Sequence, residues 1–181
     1  AKGFSRMVIK QVSEAKGITI ESRFKATKTT FTELLTEEVN IPLTQAQQAV
    51  YEPIQEAMNS HEHKTFLLHG VTGSGKTQLY LRATAKCISQ DKTAIILVPE
   101  IILTDQIVRR FVETFGDEVV VFHSKLTVQQ RNNNWERLRR KDSHIIIGAR
   151  SAVFAPAEDI GLIVVDEEHD TSYKQEDMVR Y

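Results

Sequence analysis

Cysteine is almost missing. One residue, Cys87, stands among 181, so no intrachain disulfide can form and no cysteine-cluster zinc site is available. No uninterrupted apolar run approaches the roughly 20 residues of a membrane span. The opening AKGFSRMVIK holds no apolar core of a signal peptide, so nothing there points to secretion, and the cytoplasm is the expected compartment. Internal repeats and low-complexity tracts are lacking too. Net charge is only −1, which excludes a simple basic coat for nucleic acid. What is present suits a folded domain: 41% of residues are hydrophobic and 26% charged, which argues against wholesale disorder. A chain of this length buries about 70% of its unfolded surface and makes one full domain with part of another.

The small net charge hides a separation. Residues 1–30 carry seven Lys/Arg against two Glu. Residues 129–150 carry Arg131, Arg137, Arg139, Arg140, Lys141 and Arg150 against Glu136 and Asp142. Residues 155–181 carry eight acids against Lys174 and Arg180. Basic and acidic blocks in one chain suit a protein that holds a polyanion and a divalent cation in different places, and they suit solvated faces equally well.

Residues 1–30 read as a helix from about Arg6 to Lys16, capped by Ser5 and closed by Gly17, followed by the alternating strand ITIESRF. Helix and basic strand together resemble the tail of a winged-helix module, too short to fold alone. Residues 27–40 read as a linker, with a domain boundary at residue 38. Beyond it come five short apolar runs: FLLH (66–69), AIILV (94–98), VVVF (119–122), HIIIG (144–148) and LIVV (162–165). Their lack of strict alternation is the pattern of strands buried on both faces. Helical stretches Lys76–Gln90, Leu103–Phe115 and Thr127–Arg140 lie between them. This alternation predicts an α/β fold with a mostly parallel sheet flanked by helices and right-handed crossovers.

Directly after FLLH comes Gly70-Val71-Thr72-Gly73-Ser74-Gly75-Lys76-Thr77, which matches the phosphate-loop pattern G-x-x-x-x-G-K-[ST] at every fixed position. Glycines let backbone N–H groups approach phosphate oxygens. The helix that starts near Lys76 adds its N-terminal dipole. Lys76 is expected to reach the β- and γ-phosphates and Thr77 to ligate Mg²⁺. The last apolar run, LIVV, delivers Asp166-Glu167-Glu168-His169 at its C-terminal end, where open α/β sheets place ligand chemistry. Asp166 is the expected Mg²⁺ carboxylate, acting through water, and Glu167 the expected base for an attacking water.

With GVTGSGKT upstream and DEEH after an apolar strand, the sequence resembles the first motor domain of superfamily 2 DNA helicases. ILVPEIILTDQ (96–106), FHSKLT (122–127), IGARSAVFAP (147–156) and VVDEEHDTSYKQ (164–175), in that order, are similar to the replication-restart helicases of the PriA family. The resemblance covers about residues 40–181. It implies a RecA-like P-loop NTPase domain over 39–181, preceded by the partial winged-helix-like segment and linker of 1–38. The implied activity is ATP-dependent 3′–5′ DNA unwinding in primosome assembly at stalled forks. The implied partners are forked or single-stranded DNA, primosome proteins and single-strand-binding proteins, with no membrane role. ATP and Mg²⁺ are the implied cofactors. Zinc would belong only to the family's cysteine-rich segment, which this chain lacks, as it lacks the second motor lobe with its arginine finger. Hydrolysis by this chain alone should therefore be slow and unwinding absent.

The resemblance also assigns positions. Gln47, beside Leu43-Thr44, falls where the family contacts adenine, and Gly70, Thr72, Gly73, Ser74, Gly75, Lys76 and Thr77 form the phosphate cradle. Pro99, Glu100, Thr104 and Gln106 border the implied DNA path, as do Gly148, Arg150 and Ser151. His169 is where the family couples nucleotide state to DNA. Arg150 is the strongest expected phosphate contact; the alternative is an internal pair with Glu100 or Asp166. A RecG-type translocase and a nucleotide-binding fragment without turnover stay open. A switch GTPase should offer N-K-x-D, and a small-molecule kinase an arginine-rich lid near an end that here is acidic. The basic helix end Arg137–Lys141 could join the DNA surface or be a solvated face. Trp135 could stack on a base or, from its helical spacing with Val128 and Leu138, be a core or half-buried residue. His61-Glu62-His63 reads as a solvated loop, Cys87 as a buried small hydrophobe and His123 as structural or close to the DNA.

Overall fold

The computed structural model describes residues 37–71, 73–100 and 106–173. The expected helix and strand of the first 30 residues, Thr72, the 101–105 segment with Thr104, and the tail from Lys174 lie outside the described residues.

Four of the apolar runs form one parallel sheet. The strands are β1 (Thr93–Leu97), β2 (Val119–Phe122), β3 (Ile145–Gly148) and β4 (Ile160–Val165), ordered β2-β3-β1-β4. The central strands β1 and β3 are buried along their whole length. Ile96, Ile145 and Ile147 pack with Leu81, Ile107 and Phe111 on one face. Ile95, Leu97 and Ile146 pack with Val120, Leu138 and Ala152 on the other. Both sides of each strand are therefore core, which is why the sequence shows runs rather than alternation. Each such Ile contributes about 1.5–3 kcal/mol by leaving water.

The fifth run behaves differently. Residues 66–69 are not in a strand, and Leu67 is 80% exposed. An apolar, aromatic-containing run makes a strand only where its packing context supplies a partner. Among the described residues the sheet ends at β4, whose Ile160, Ile163 and Val165 are exposed.

The helices are α1 (Glu37–Asn40), α2 (Gln45–Ser60), α3 (Lys76–Ser89), α4 (Gln106–Phe115) and α5 (Val128–Arg139). The 16-residue α2 contains Pro53, which masks its helical character in the sequence. A capping box starts it: the Gln47 N–H donates to the Thr44 hydroxyl and the Thr44 N–H to Gln47 Oε1, so two orphan donors of the first turn are satisfied. Tyr51 then packs against the α3 side chains Leu79 and Ala83, and Ala57 is buried as well. Cys87 is fully buried in α3, and burial pushes its thiol up to about 11, as fits a small hydrophobe.

Helix α5 bears on two readings that the sequence leaves open. Thr127 caps it with a second capping box, but only Leu138 is buried. Trp135 is 40% exposed and Val128 77% exposed, so Trp135 is no core residue. Its basic end is also engaged elsewhere. The Arg137 guanidinium donates to the Asp117 carbonyl. Arg139 and Arg140 pair with Glu136, and Lys141 with Glu158 and Asp159. Because α5 ends just before β3, this cluster sits at the N-terminal edge of the sheet. The phosphate loop and acidic turn lie at the opposite edge, so the helix end does not join their surface.

His144 sits at that same N-terminal edge. Its Nδ1 lies 2.8 Å from Glu118 Oε2, with Asp91 4.0 Å from Nε2. The hydrogen bond to Glu118 raises the His144 pKa above 6.5 against burial, with Asp91 helping and Lys141 opposing. A raised folded-state pKa means stabilisation that is complete below 6.5 and lost as pH rises through the raised value. The melting-temperature difference between wild type and His144→Gln should therefore be largest below pH 6.5 and shrink above it. Calorimetry at several pH values checks this, and a pH-independent difference would contradict the pairing.

Candidate active site

All four strands run in the same direction, so their C-terminal ends emerge at one edge. Each end carries residues singled out by the sequence: Pro99 and Glu100 after β1, His123 after β2, Arg150 and Ser151 after β3, Asp166 to His169 after β4. Helix α3 starts at this edge and descends to β1, so the phosphate loop lies there as well.

The loop has the backbone its glycines permit. Gly73 and Gly75 have φ of 80° and 88°, a region that favours glycine. Gly75 directly precedes the first residue of α3, whose leading N–H groups have no intrahelical acceptor and so favour an anion. A Cβ on Gly70 would stand 2.6 Å from Ser74 Oγ, so the loop closes tightly across its base. Lys76 Nζ donates to the carbonyls of Gly70 at 2.7 Å and Val71 at 3.4 Å. The ammonium is thus held over the loop with a third proton to give. Thr77 follows, half-buried in the first turn.

Gln47 is seated on the same loop. Its Nε2 donates to the Ser74 carbonyl at 3.0 Å, and its amide occupies the space a side chain on Gly75 would need. Oε1 also accepts from Thr44 N–H. The amide still keeps one proton and one lone pair for a ligand.

The acidic turn faces the loop. The Asp166 N–H donates to the Leu97 carbonyl at 2.9 Å, extending the ladder past β4. Its carboxylate accepts from Tyr80 Oη at 3.1 Å, and its carbonyl accepts from Tyr173 Oη at 2.9 Å. Burial raises the Asp166 pKa, and Glu167 raises it further; the Tyr80 hydrogen bond and the nearby Lys76 charge oppose them. Burial and the neighbouring carboxylates push the phenols of Tyr80 and Tyr173 far up, so both stay protonated donors. Glu167 has φ of 48°, a left-handed conformation that costs a non-glycine residue of the order of 1–3 kcal/mol and recurs at functional turns. His169 is exposed, with Nε2 3.6 Å from Glu167 Oε2.

The donor set fits Mg²⁺. A hydroxyl and a carboxylate are hard oxygen donors, and Mg²⁺ takes one or two carboxylates together with substrate phosphates. No group of three or more His, Cys, Asp or Glu able to hold a metal occurs among the described residues, so phosphate and water must supply most of the coordination.

Of the DNA-path residues, Pro99 is fully buried and can shape the turn but not touch a ligand with its side chain. Glu100, Gln106, Arg150 and Ser151 are exposed. Arg150 forms no ion pair with Glu100 or Asp166. Gly148 is required by packing: a Cβ there would stand 2.6 Å from Ala152 Cβ and 2.7 Å from the Phe122 carbonyl. His123 is half-buried and its carbonyl closes the turn to Leu126. The sequence reading missed Tyr80 and Tyr173. The i+3 and i+4 spacing of Tyr80 from Thr77 and Lys76 was the available signal for the first.

Comparison with known proteins gives the family. The family model for DEAD/DEAH box helicases matches residues 44–181. The chain belongs to this family. The helicase domain is also 53% identical to "Replication restart protein PriA" of Bacillus subtilis (strain 168) over 141 residues, 78% of this chain and 18% of that protein. It is 50% identical to the protein of the same name from Haemophilus influenzae over 116 residues, 64% of this chain and 16% of that protein. With the one from Chlamydia pneumoniae it shares 46% over 129 residues, 71% of this chain and 17% of that protein. The matched part of the helicase domain spans less than a fifth of the length of these relatives. No helix among the described residues is long and apolar enough to cross a membrane.

Proposed function

We propose that residues 39–181 are the ATP-binding motor lobe of a cytoplasmic, ATP-driven 3′–5′ DNA helicase that acts in replication restart, in primosome assembly at stalled forks. The observation that carries this reading is the approach of the acidic turn to the phosphate loop. Lys76 and Thr77 begin the helix whose Tyr80 touches Asp166, so phosphate-binding and carboxylate chemistry meet at one sheet edge. The names of the relatives support the biological setting.

In this reading the loop's backbone N–H groups and Lys76 bind the phosphates, and Gln47 faces the adenine. Thr77 and Asp166 hold Mg²⁺, which when bound neutralises charge on the β- and γ-phosphate oxygens. Glu167 accepts a proton from the water that attacks the γ-phosphorus, as the bond to the bridging β-oxygen breaks and ADP leaves. Lys76 stabilises the charge that develops on the transferring group. His169, beside Glu167, links this chemistry to DNA. Single-strand-binding and primosome proteins complete the proposed partners.

Glu100, Gln106, Arg150 and Ser151 form the DNA-facing surface, with Thr104 assigned there by family pattern. Arg150 suits a bidentate phosphate contact. Phosphate contacts carry no base information, so binding should be indifferent to sequence. Each phosphate contact on a single strand contributes about −0.7 to the slope of log K against log salt. Arg150→Ala should weaken DNA binding and make that slope shallower by about this amount, with the melting temperature preserved. Fluorescence anisotropy across a salt series checks it, and an unchanged slope would remove Arg150 from the DNA path.

A further inference from the structure

We propose that Tyr80 is a positioning residue for the cation site, its phenol holding the Asp166 carboxylate in the orientation that serves Mg²⁺ at the phosphate loop. This rests on the nucleotide-binding reading above. Helical geometry puts Tyr80 in line with the loop. It follows Lys76 by four residues and Thr77 by three, so all three side chains share one face of α3. That face meets the end of β4, where Tyr80 Oη donates to Asp166 Oδ1 at 3.1 Å.

The backbone of Asp166 is already fixed from both sides. Its N–H is tied to the Leu97 carbonyl and its own carbonyl to Tyr173 Oη. The side-chain torsions remain, and the Tyr80 bond sets them together with the Glu167 N–H, which also acts on the carboxylate. The Tyr80 bond engages Oδ1, and the cation or its water is met through the carboxylate's remaining lone pairs. Tyr80 also packs against the core that includes Leu81, Ile96 and Phe111, so the phenol is held by a rigid wall. Outer-sphere partners of this kind orient the group that binds the metal, and removing one typically costs about 10–100-fold in metal affinity.

The test is Tyr80→Phe, which keeps the ring and its packing and removes only the hydroxyl. ADP binding to the full-length protein is measured by titration calorimetry with Mg²⁺ at a series of concentrations and with EDTA. The expected result is an about 10–100-fold rise in the Mg²⁺ concentration that gives half the metal-dependent gain in affinity, with affinity in EDTA unchanged. In the background of Asp166→Asn, the same substitution should have little further effect, because the two side chains act as one unit. An unchanged Mg²⁺ requirement would overturn the proposal. So would equal weakening with and without Mg²⁺, which is the mark of a packing role. Absence of Mg²⁺-dependent ADP binding by the wild type would instead sink the nucleotide-site reading, and this inference with it.

Discussion

Glu167→Gln should leave nucleotide binding intact and reduce hydrolysis by the full-length protein about 10²–10⁴-fold, the usual worth of a positioned general base. The amide is nearly isosteric but cannot take the proton of the attacking water. Glu167 is half-buried at the end of β4, one residue beyond Asp166, and its left-handed backbone turns it away from the strand direction. The fold does not depend on its charge, since its contact with His169 is exposed and 3.6 Å long, and exposed contacts of this kind are worth little. Single-turnover kinetics beside an ATP titration separates the two effects. Loss of binding equal to the loss of rate would assign Glu167 to ground-state binding.

Lys76→Ala should weaken ATP and ADP binding about 10–100-fold. A charge-assisted hydrogen bond contributes about 1.5–3 kcal/mol, and each 1.4 kcal/mol is about tenfold in affinity. The alanine removes the one side-chain ammonium held over the loop, together with its bonds to the Gly70 and Val71 carbonyls. The Ser74 N–H to Val71 carbonyl bond and the Gln47 contact to Ser74 remain, so the loop should keep its shape and the melting temperature should hardly move. Indistinguishable nucleotide titrations for wild type and variant would sink the assignment of this loop.

Much of this site is legible in the sequence because its signals are local. A glycine pattern with a fixed lysine determines the loop, and carboxylates at the end of an apolar strand lie at a known edge of a parallel sheet. Strands β1 to β4 are recognisable for the same reason: each is a short apolar run between helices. Non-local information was harder to see. Residues 66–69 have strand composition, yet a strand depends on a neighbour, which composition does not specify. Pro53 obscures helix α2, and Gln47, which the resemblance sets at the adenine, also has with Thr44 the spacing of a capping box. Trp135 has the spacing of a core residue on a helix whose neighbouring positions Val128 and Arg131 are exposed. At the basic end of α5, Arg137 and Lys141 find their partners Asp117 and Asp159 about 20 residues away in sequence, which spacing along the helix does not reveal. Tyr80 lies outside every motif and Tyr173 sits in VVDEEHDTSYKQ with no role assigned; they matter because the fold brings both to Asp166.

The most direct measurement is steady-state ATP hydrolysis by the full-length protein, with and without single-stranded or forked DNA. The account predicts turnover that requires Mg²⁺, rises on adding DNA, and is indifferent to DNA sequence. Hydrolysis unaffected by any DNA, or no hydrolysis under any of these conditions, would contradict it.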